Sequence, residues 1–307
     1  MTGPTRSKRD FLRLTDLSRE ELLELIERAA EWKLLGKGGP RPLSGMTLGL
    51  VFEKASTRTR VSFQVGAHQL GAHSIMLSPK DTQLGRGEPI KDTARVLSRY
   101  LDALVVRTFE HQKLEEMASR STVPVVNALT DASHPCQLLA DLLTITERFG
   151  PDALRRGGLE VAWVGDGNNM ANSWLEACIL LGFTLRVACP AGYDPDLALV
   201  ARTGGKARVV RTPREAARGA HVVNTDVWAS MGQETEAAER RERFAGFIVD
   251  EALMATADPK AIALHCLPAH RGEEIAESVL EGPQSAVFDE AENRLHAQKA
   301  LLELLLA

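Results

Sequence analysis

The chain has 307 residues, of which 44% are hydrophobic and 25% charged, and its formal net charge is −4. A length of this order accommodates two domains of roughly 100–200 residues each. Mild acidity without a Lys/Arg tract excludes nucleic acid as the main partner, and no apolar run approaches the ~20 residues that a membrane span needs.

The N-terminus and the cysteines indicate a cytoplasmic protein. The segment from Thr2 to Asp10 is polar and lacks the apolar core of a signal peptide. The four cysteines are far apart and include no Cys-x-x-Cys pair, so neither a disulfide framework nor a zinc site is predicted.

The first half of the chain alternates strand-like and helix-like segments. Ser18-x-x-Glu21 is a capping box that predicts a helix running to Gly36. Strands are predicted near 47–52, 73–77, 103–107 and 123–127. Ser133-His134-Pro135 then begins a longer helix, with Pro135 suited to its first turn.

The second half repeats this alternation after a hydrophilic stretch between Phe149 and Gly158, which we take as the domain boundary. Strands are predicted near 160–164, 184–188, 207–210, 221–225 and 261–264. The last helix, 290–306, is apolar on one side and is expected to pack back on the first domain.

These patterns predict an α/β fold with two doubly wound parallel-sheet domains linked by helices. The first domain comprises residues 1–149 together with the C-terminal helix 290–307, and the second comprises 150–289. In such sheets ligands bind beyond the carboxyl ends of the strands. Polar residues follow these strands at 56–59, 107–108, 134–137, 165–169, 226–231 and 265–268, which predicts a single cleft between the domains.

The segment Ser56–Arg60 lies between a predicted strand and a predicted helix. Free N–H groups and the helix dipole favour an anion there, and Arg58 adds a fork of donors that matches phosphate oxygens. A Ser/Thr cap followed by surface arginines is the structural alternative. Arg107 ends another strand and would be a second cation, although strand-end arginines often form only salt bridges.

Two further segments allow both structural and functional interpretations. His134-Pro135-Cys136-Gln137 offers an imidazole and an amide at a helix start, or only a cap above a buried cysteine. The run Gly165–Met170 is similar to a dinucleotide fingerprint, but Met170 replaces its third glycine and no acid ends the next strand. Asn168 remains a donor and acceptor for a polar small molecule.

The last two polar segments follow the strands predicted at 221–225 and 261–264. Asp226 to Gln233 carries an acid, a hydroxyl and backbone groups near a glycine, which could hold an ammonium and a carboxylate; a capping Asp above a packed Trp228 is the alternative. Cys266 stands at a strand end, where a cysteine is often only a small buried hydrophobe. Here it precedes a loop with His270 and Arg271.

Four segments together resemble the ornithine carbamoyltransferases: Ser56-Thr57-Arg58-Thr59-Arg60, His134-Pro135-Cys136-Gln137, Asp226-Val227-Trp228-Ala229-Ser230-Met231-Gly232 and His265-Cys266-Leu267-Pro268. The likeness runs from Phe11-Leu12 to His296. The first segment is common to carbamoyltransferases, whereas the Ser-Met-Gly loop and the His-Cys-Leu-Pro turn are those of the ornithine enzymes. An aspartate enzyme would be expected to carry a lysine in the loop at 80–88, where the present chain has Asp81-Thr82-Gln83-Leu84-Gly85-Arg86-Gly87-Glu88, which is the ornithine pattern.

The resemblance implies transfer of a carbamoyl group from carbamoyl phosphate to L-ornithine in arginine biosynthesis, with no metal and no cofactor. It assigns the binding of carbamoyl phosphate to Ser56, Thr57, Arg58, Thr59, Arg107, His134, Gln137, Cys266, Leu267 and Arg294, and to Gln83 from a neighbouring subunit. It assigns the binding of ornithine to Asn168, Asp226, Ser230 and Met231. Catalysis would depend on Arg58, Arg107, His134, Asp226 and Cys266. The resemblance further implies a homotrimer or a multiple of trimers.

Three alternatives remain open at this point. The acceptor could be another amine, such as putrescine or an acylated ornithine. The chain could be a non-catalytic amino-acid sensor on the same scaffold. A nicotinamide-dependent dehydrogenase would require that the protein bind NAD.

Overall fold

The computed structural model describes residues 8–78, 87–229 and 234–307. The described residues divide into two compact units. Unit 1 comprises the chain up to Leu17 together with Glu24–Cys136 and Leu295–Ala307, and unit 2 comprises Ser18–Leu23 and Gln137–Arg294. Among the described helices, none combines the length and the apolar character that a bilayer crossing requires.

Unit 1 contains a four-stranded parallel sheet in the order β2-β1-β3-β4. Its strands are β1 (Thr47–Phe52), β2 (His73–Leu77), β3 (Ala103–Arg107) and β4 (Val125–Leu129). Its helices are α2 (Thr57–Gln69), α3 (Ile90–Leu97) and α4 (His111–Arg120). The first three strands are confirmed as predicted. The fourth begins two residues late, after Pro124, because proline has no N–H to donate to the ladder.

Unit 2 contains a five-stranded parallel sheet in the order β7-β6-β5-β8-β9. Its strands are β5 (Glu160–Val164), β6 (Thr184–Ala188), β7 (Ala207–Val210), β8 (Val222–Thr225) and β9 (Ile262–His265), all within one residue of the prediction. Its helices are α6 (Asn169–Leu181), α7 (Leu197–Arg202), α8 (Pro213–Ala217), α9 (Ala237–Arg243), α10 (Glu251–Met254) and α11 (Glu277–Leu280). The two doubly wound α/β halves are therefore confirmed.

Three long helices each contribute residues to both units. They are α1 (Arg19–Leu35), α5 (Pro135–Phe149) and α12 (Val287–Leu306). The capping box of α1 is confirmed: Oγ of Ser18 accepts from Glu21 N at 3.1 Å, and Oε2 of Glu21 accepts from Ser18 N at 2.8 Å. Pro135 is the first residue of α5, as predicted.

The end of α12 belongs to unit 1, as expected for a C-terminal helix that packs back on the first domain. Glu303 accepts hydrogen bonds from Arg28 Nε at 2.7 Å and from Trp32 Nε1 at 2.8 Å. Lys299 is buried and lies 4.5 Å from the centre of the Trp32 ring. The domain boundary between Phe149 and Gly158 stays a prediction, since unit 2 begins earlier, within α5.

Candidate active site

In unit 1 the polar residues follow three neighbouring strands, β1, β3 and β4. The segment after β1 leads to Ser56, whose Oγ accepts from Thr59 N at 3.2 Å and caps α2. The predicted cap is therefore present, and Arg58 lies in the first turn of the same helix. A cap and an anion site are compatible, because a single oxygen takes only one of the N–H groups that have no partner within the helix.

Arg107 and His134 lie at the same edge of this sheet. Arg107 ends β3, pairs with Phe52 in register, and accepts at its carbonyl from Glu53 N at 2.8 Å. His134 is buried just after β4 and precedes α5 directly. A buried guanidinium and a buried imidazole thus lie beyond β3 and β4, which follow β1 in the order of the sheet. The thiol of Cys136 donates to Asn127 O at 3.2 Å inside the core, as the structural interpretation of that cysteine predicted.

Sequence reasoning missed Lys54, which lies in the loop between β1 and Ser56. Its ammonium is buried, forms an ion pair with Asp131, and lies 4.3 Å from the centre of the Phe109 ring. The loop sequence Glu53-Lys54-Ala55 looks like ordinary solvated surface, so only the tertiary pairing reveals it. The ion pair joins the loop that leads to Ser56 to Asp131, in the segment after β4.

In unit 2 the polar residues follow the adjacent strands β5, β8 and β9. Asp226 is 7% exposed and stands at their centre. Its Oδ2 accepts from Asn168 Nδ2 at 3.2 Å, and its Oδ1 accepts from the Cys266 thiol at 3.1 Å and from Val227 N at 2.8 Å. Two residues predicted from other segments, Asn168 and Cys266, therefore contact the carboxylate of a third.

Asn168 is oriented by the helix that it caps. Its Oδ1 accepts from Met170 N at 2.9 Å and from Ala171 N at 3.3 Å, so the amide nitrogen points toward Asp226. A Cβ on Gly167 would lie 2.2 Å from Pro195 N, so the close approach of these two segments requires a glycine at this position. The nearby Asp166 pairs with Arg240 at 2.8 Å, which sequence reasoning also missed.

Burial raises the pKa of the Cys266 thiol well above its ordinary value, and the negative charge of Asp226 raises it further. The thiol therefore stays protonated near neutral pH and donates its hydrogen to Asp226. Leu267, the next residue, has a positive φ of 57°.

The turn after β9 is fixed by the side chain of His265. Its Nδ1 accepts from Leu267 N at 2.8 Å, so Nε2 carries the hydrogen and donates to Glu274 Oε1 at 3.0 Å. Glu274 also accepts from His270 N at 2.6 Å. This buried carboxylate therefore holds the loop that follows Cys266.

Gln137 and Arg294 contact each other: Arg294 Nη1 donates to Gln137 Oε1 at 2.5 Å. Gln137 Nε2 donates to Asp141 Oδ1 at 2.9 Å and to Glu290 Oε1 at 2.6 Å. Asp141 and Glu290 were not predicted from the sequence, because an acid within a helical pattern gives no sign that it is buried.

Three predicted residues, Gln83, Ser230 and Met231, lie outside the described residues. Trp228 is buried and stacks on Phe244 with ring centres 5.8 Å apart, so the packed tryptophan predicted beside Asp226 is present. The predicted roles, and the single cleft for residues of both units, stay predictions.

Two groups in the described part of the chain bring three possible metal ligands within 4.8 Å of one another. They are Asp226, His265 and Cys266, and His270, Glu273 and Glu274. Each of the buried members already has hydrogen-bond partners in this chain. The expectation that no metal is needed stays a prediction.

Comparison with known proteins identifies relatives across the whole chain. Residues 9–147 match the carbamoyl-P binding domain of aspartate/ornithine carbamoyltransferase, and residues 157–305 match its Asp/Orn binding domain. An ornithine carbamoyltransferase of Halorhodospira halophila is 57% identical over 300 residues, covering 97% of this chain and 99% of that protein.

Two further relatives extend this likeness. The anabolic ornithine carbamoyltransferase of Pseudomonas aeruginosa is 57% identical over 302 residues and covers 98% of each chain. The solved structure of the ornithine carbamoyltransferase from Pyrococcus furiosus has a TM-score of 0.91 at 48% identity, covering 98% of this chain and 97% of that one.

Proposed function

The chain belongs to the aspartate/ornithine carbamoyltransferase family, and from this we propose that it transfers the carbamoyl group of carbamoyl phosphate to the δ-amine of L-ornithine. The products are L-citrulline and phosphate. Relatives named as anabolic support a role in arginine biosynthesis. The observation that carries the proposal is the Asp226 carboxylate, held by Asn168 and Cys266 beyond three adjacent strands.

Unit 1 binds carbamoyl phosphate in this proposal. The start of α2, with Ser56, Thr57, Arg58 and Thr59, holds the phosphate, and Arg107 supplies a second guanidinium. His134 donates to the carbonyl oxygen, where charge develops during attack. One well-aimed donor of this kind contributes ~3–4 kcal/mol in mutational tests. The capped helix and the two buried side chains at the same sheet edge support this assignment.

Unit 2 binds ornithine in this proposal. Asn168, Asp226, Ser230 and Met231 hold the amino acid, and Cys266, Leu267, Gln137 and Arg294 complete the site around the carbamoyl group. The hydrogen bonds that surround Asp226 support the first part, and those that join Gln137 to Arg294 support the second.

The reaction needs no covalent intermediate, because carbamoyl phosphate is already activated. Holding the amine and the carbonyl in reacting geometry can supply ~7–11 kcal/mol. The δ-ammonium resembles lysine with a pKa of ~10.4, so its neutral form costs ~4 kcal/mol near pH ~7.4, at ~1.36 kcal/mol per unit. Asp226 orients this nitrogen, and with the Cys266 thiol it assists the loss of the proton.

The assembly and the cellular location are further parts of the proposal. We infer a homotrimer, or a multiple of trimers, in which Gln83 reaches the site of a neighbouring subunit. Two valines one turn apart on α2, Val61 and Val65, are exposed and support a subunit contact. A cytoplasmic location would keep the Cys266 thiol reduced. Light scattering of the purified protein measures its molar mass and so determines the number of subunits.

The experiment that tests the function is an assay for ureido product with carbamoyl phosphate and a panel of amines. We expect citrulline from ornithine and a far lower rate with putrescine or N-acetylornithine. A preference for either alternative amine would identify a different carbamoyltransferase. Ornithine binding by calorimetry without turnover would instead support an amino-acid sensor.

A further inference from the structure

Gln137, Asp141, Glu290 and Arg294 form a buried polar cluster in unit 2, which we call the acid pair cluster. Gln137 and Asp141 lie one turn apart on α5, and Glu290 and Arg294 lie one turn apart on α12. Both acids have 0% exposure. Buried carboxylates are rare unless they are paired with a cation or neutralised by a proton.

The hydrogen bonds of the cluster bring the two acids together. Gln137 Nε2 donates to Asp141 at 2.9 Å and to Glu290 at 2.6 Å, so both carboxyls converge on one nitrogen. Two buried carboxylate oxygens that accept from the same nitrogen lie close together, where two negative charges would repel each other. A proton on one of the two carboxyls removes this repulsion.

The charges around the pair lead to the same conclusion. Arg294 is the cation that acts on both acids, whereas Asp226 adds a negative charge and the Cys266 thiol is neutral. Burial, as the largest cause, raises the pKa of Asp141 to about 7 and that of Glu290 well above its ordinary range. One proton on the pair leaves a single negative charge to balance Arg294.

The cluster also fixes how the Gln137 amide is oriented. Its nitrogen has two acid acceptors, and its oxygen accepts from Arg294 at 2.5 Å, so the oxygen and the nitrogen cannot exchange places. A carbonyl oxygen has two lone pairs. Oε1 can therefore accept a second hydrogen bond, and it is suited to a ligand N–H rather than to a ligand oxygen.

Glu290 also joins this amide to the turn that carries Cys266. Its Oε1 accepts from Gln137, and its Oε2 accepts from His265 N at 2.9 Å. One side chain on α12 thus fixes the start of α5 and the end of β9.

We propose that Asp141 and Glu290 share one proton and act as positioning residues that hold the Gln137 amide with its oxygen presented to the NH₂ group of the carbamoyl donor. The pair does not contact substrate. Its effect is that the site binds a ligand with a carbamoyl N–H more tightly than a ligand that has only a phosphate group. The inference rests on the proposed function, because it assumes that carbamoyl phosphate is the donor.

The first test compares two ligands in calorimetry: a phosphonate analogue that carries the carbamoyl amide, and inorganic phosphate, which lacks it. Glu290→Gln introduces a second NH₂ that must meet either the His265 N–H or the Gln137 NH₂. We expect it to weaken binding of the analogue by about tenfold or more and binding of phosphate by less than about twofold. Asp141→Ala should likewise weaken binding of the analogue strongly and binding of phosphate only slightly.

Asp141→Asn is the conservative variant, because its NH₂ can donate permanently to an ionised Glu290. We expect it to retain binding of the analogue within about threefold. Glu147→Gln is the matched control: Glu147 also links α5 to α12, by accepting from Asn293 Nδ2 at 2.7 Å, and it lies outside the cluster. Its affinity for both ligands should equal that of the wild type.

The second test detects the proton by infrared difference spectroscopy at pH 8. The wild type and Glu147→Gln should show a protonated-carboxyl band that is missing from Asp141→Asn and from Glu290→Gln. The proposal is overturned if the band is the same in all four proteins, or if the variants weaken both ligands equally. Absence of carbamoyl transfer by the wild type would instead overturn the proposed function.

Discussion

The Cys266 thiol donates to Oδ1 of Asp226 at 3.1 Å, so this sulfur is a hydrogen-bond donor. Its role is the reverse of that of a nucleophilic cysteine, which needs a depressed pKa and a nearby cation. Here burial and a carboxylate raise the pKa of the thiol well above its ordinary value.

Slow alkylation of Cys266 is therefore expected. The folded pKa lies above the unfolded one, so the neutral thiol dominates at pH 8 and the thiolate appears only in strongly alkaline solution. Asp226→Asn removes the repelling charge and should speed labelling by iodoacetamide. Mass spectrometry of the peptide that contains Cys266 gives the rate. Rapid labelling of the wild type at pH 7 would contradict the assignment.

Arg58→Gly should reduce kcat/KM by at least ~100-fold, since it removes a charged donor for the leaving phosphate. Arg60→Gly is the matched control, because Arg60 lies in the same helix, α2, and is exposed. Either glycine costs about 1 kcal/mol of helix stability, so both variants should unfold at similar temperatures. Steady-state kinetics measures the loss of activity, and thermal unfolding measures the loss of helix stability. Equal activity of the two variants would rule out phosphate binding by Arg58.

Asn168 has two functions that substitution can separate. Asn168→Ala loses the cap of α6 and should lower the free energy of unfolding by about 1 kcal/mol. Asn168→Asp keeps an oxygen for Met170 N and Ala171 N, but it replaces the donor to Asp226 with a like charge. We expect it to keep stability and to raise the KM for ornithine by about tenfold. Denaturant titration and kinetics at several ornithine concentrations test this.

Activity should rise with pH through neutrality and into the alkaline range. The cause is the substrate amine, whose neutral fraction grows about tenfold per pH unit below its pKa of ~10.4. The measurement is kcat/KM for ornithine between pH 6 and 9, with single-turnover kinetics to establish that chemistry is rate-limiting. A flat profile under those conditions would argue against loss of the amine proton in the enzyme.

The sequence predicted the sheets well, because parallel strands buried on both faces are continuous apolar runs such as Leu48 to Phe52. It missed the start of β4 by two residues, where Pro124 interrupts the ladder. It also identified the residues that follow the strands, since their polarity contrasts with the apolar runs before them.

Long-range polar pairs were not predictable in this way. Asp166 and Arg240 are 74 residues apart, and Gln137 and Glu290 are 153 apart. In the sequence, each of these four residues looks like a solvated residue of a helix or loop. Only tertiary packing brings the partners together and determines which groups lose their contact with water.

The end of α12 has a consequence for the order in which the protein can fold. Residues Leu295–Ala307 belong to unit 1, yet the ribosome makes them after every residue of unit 2. Arg28 and Trp32, which are synthesised before most of unit 2, meet their partner Glu303 only then. Unit 1 is thus completed only after unit 2 has been synthesised, and a nascent chain stalled before Leu295 should leave unit 1 sensitive to protease.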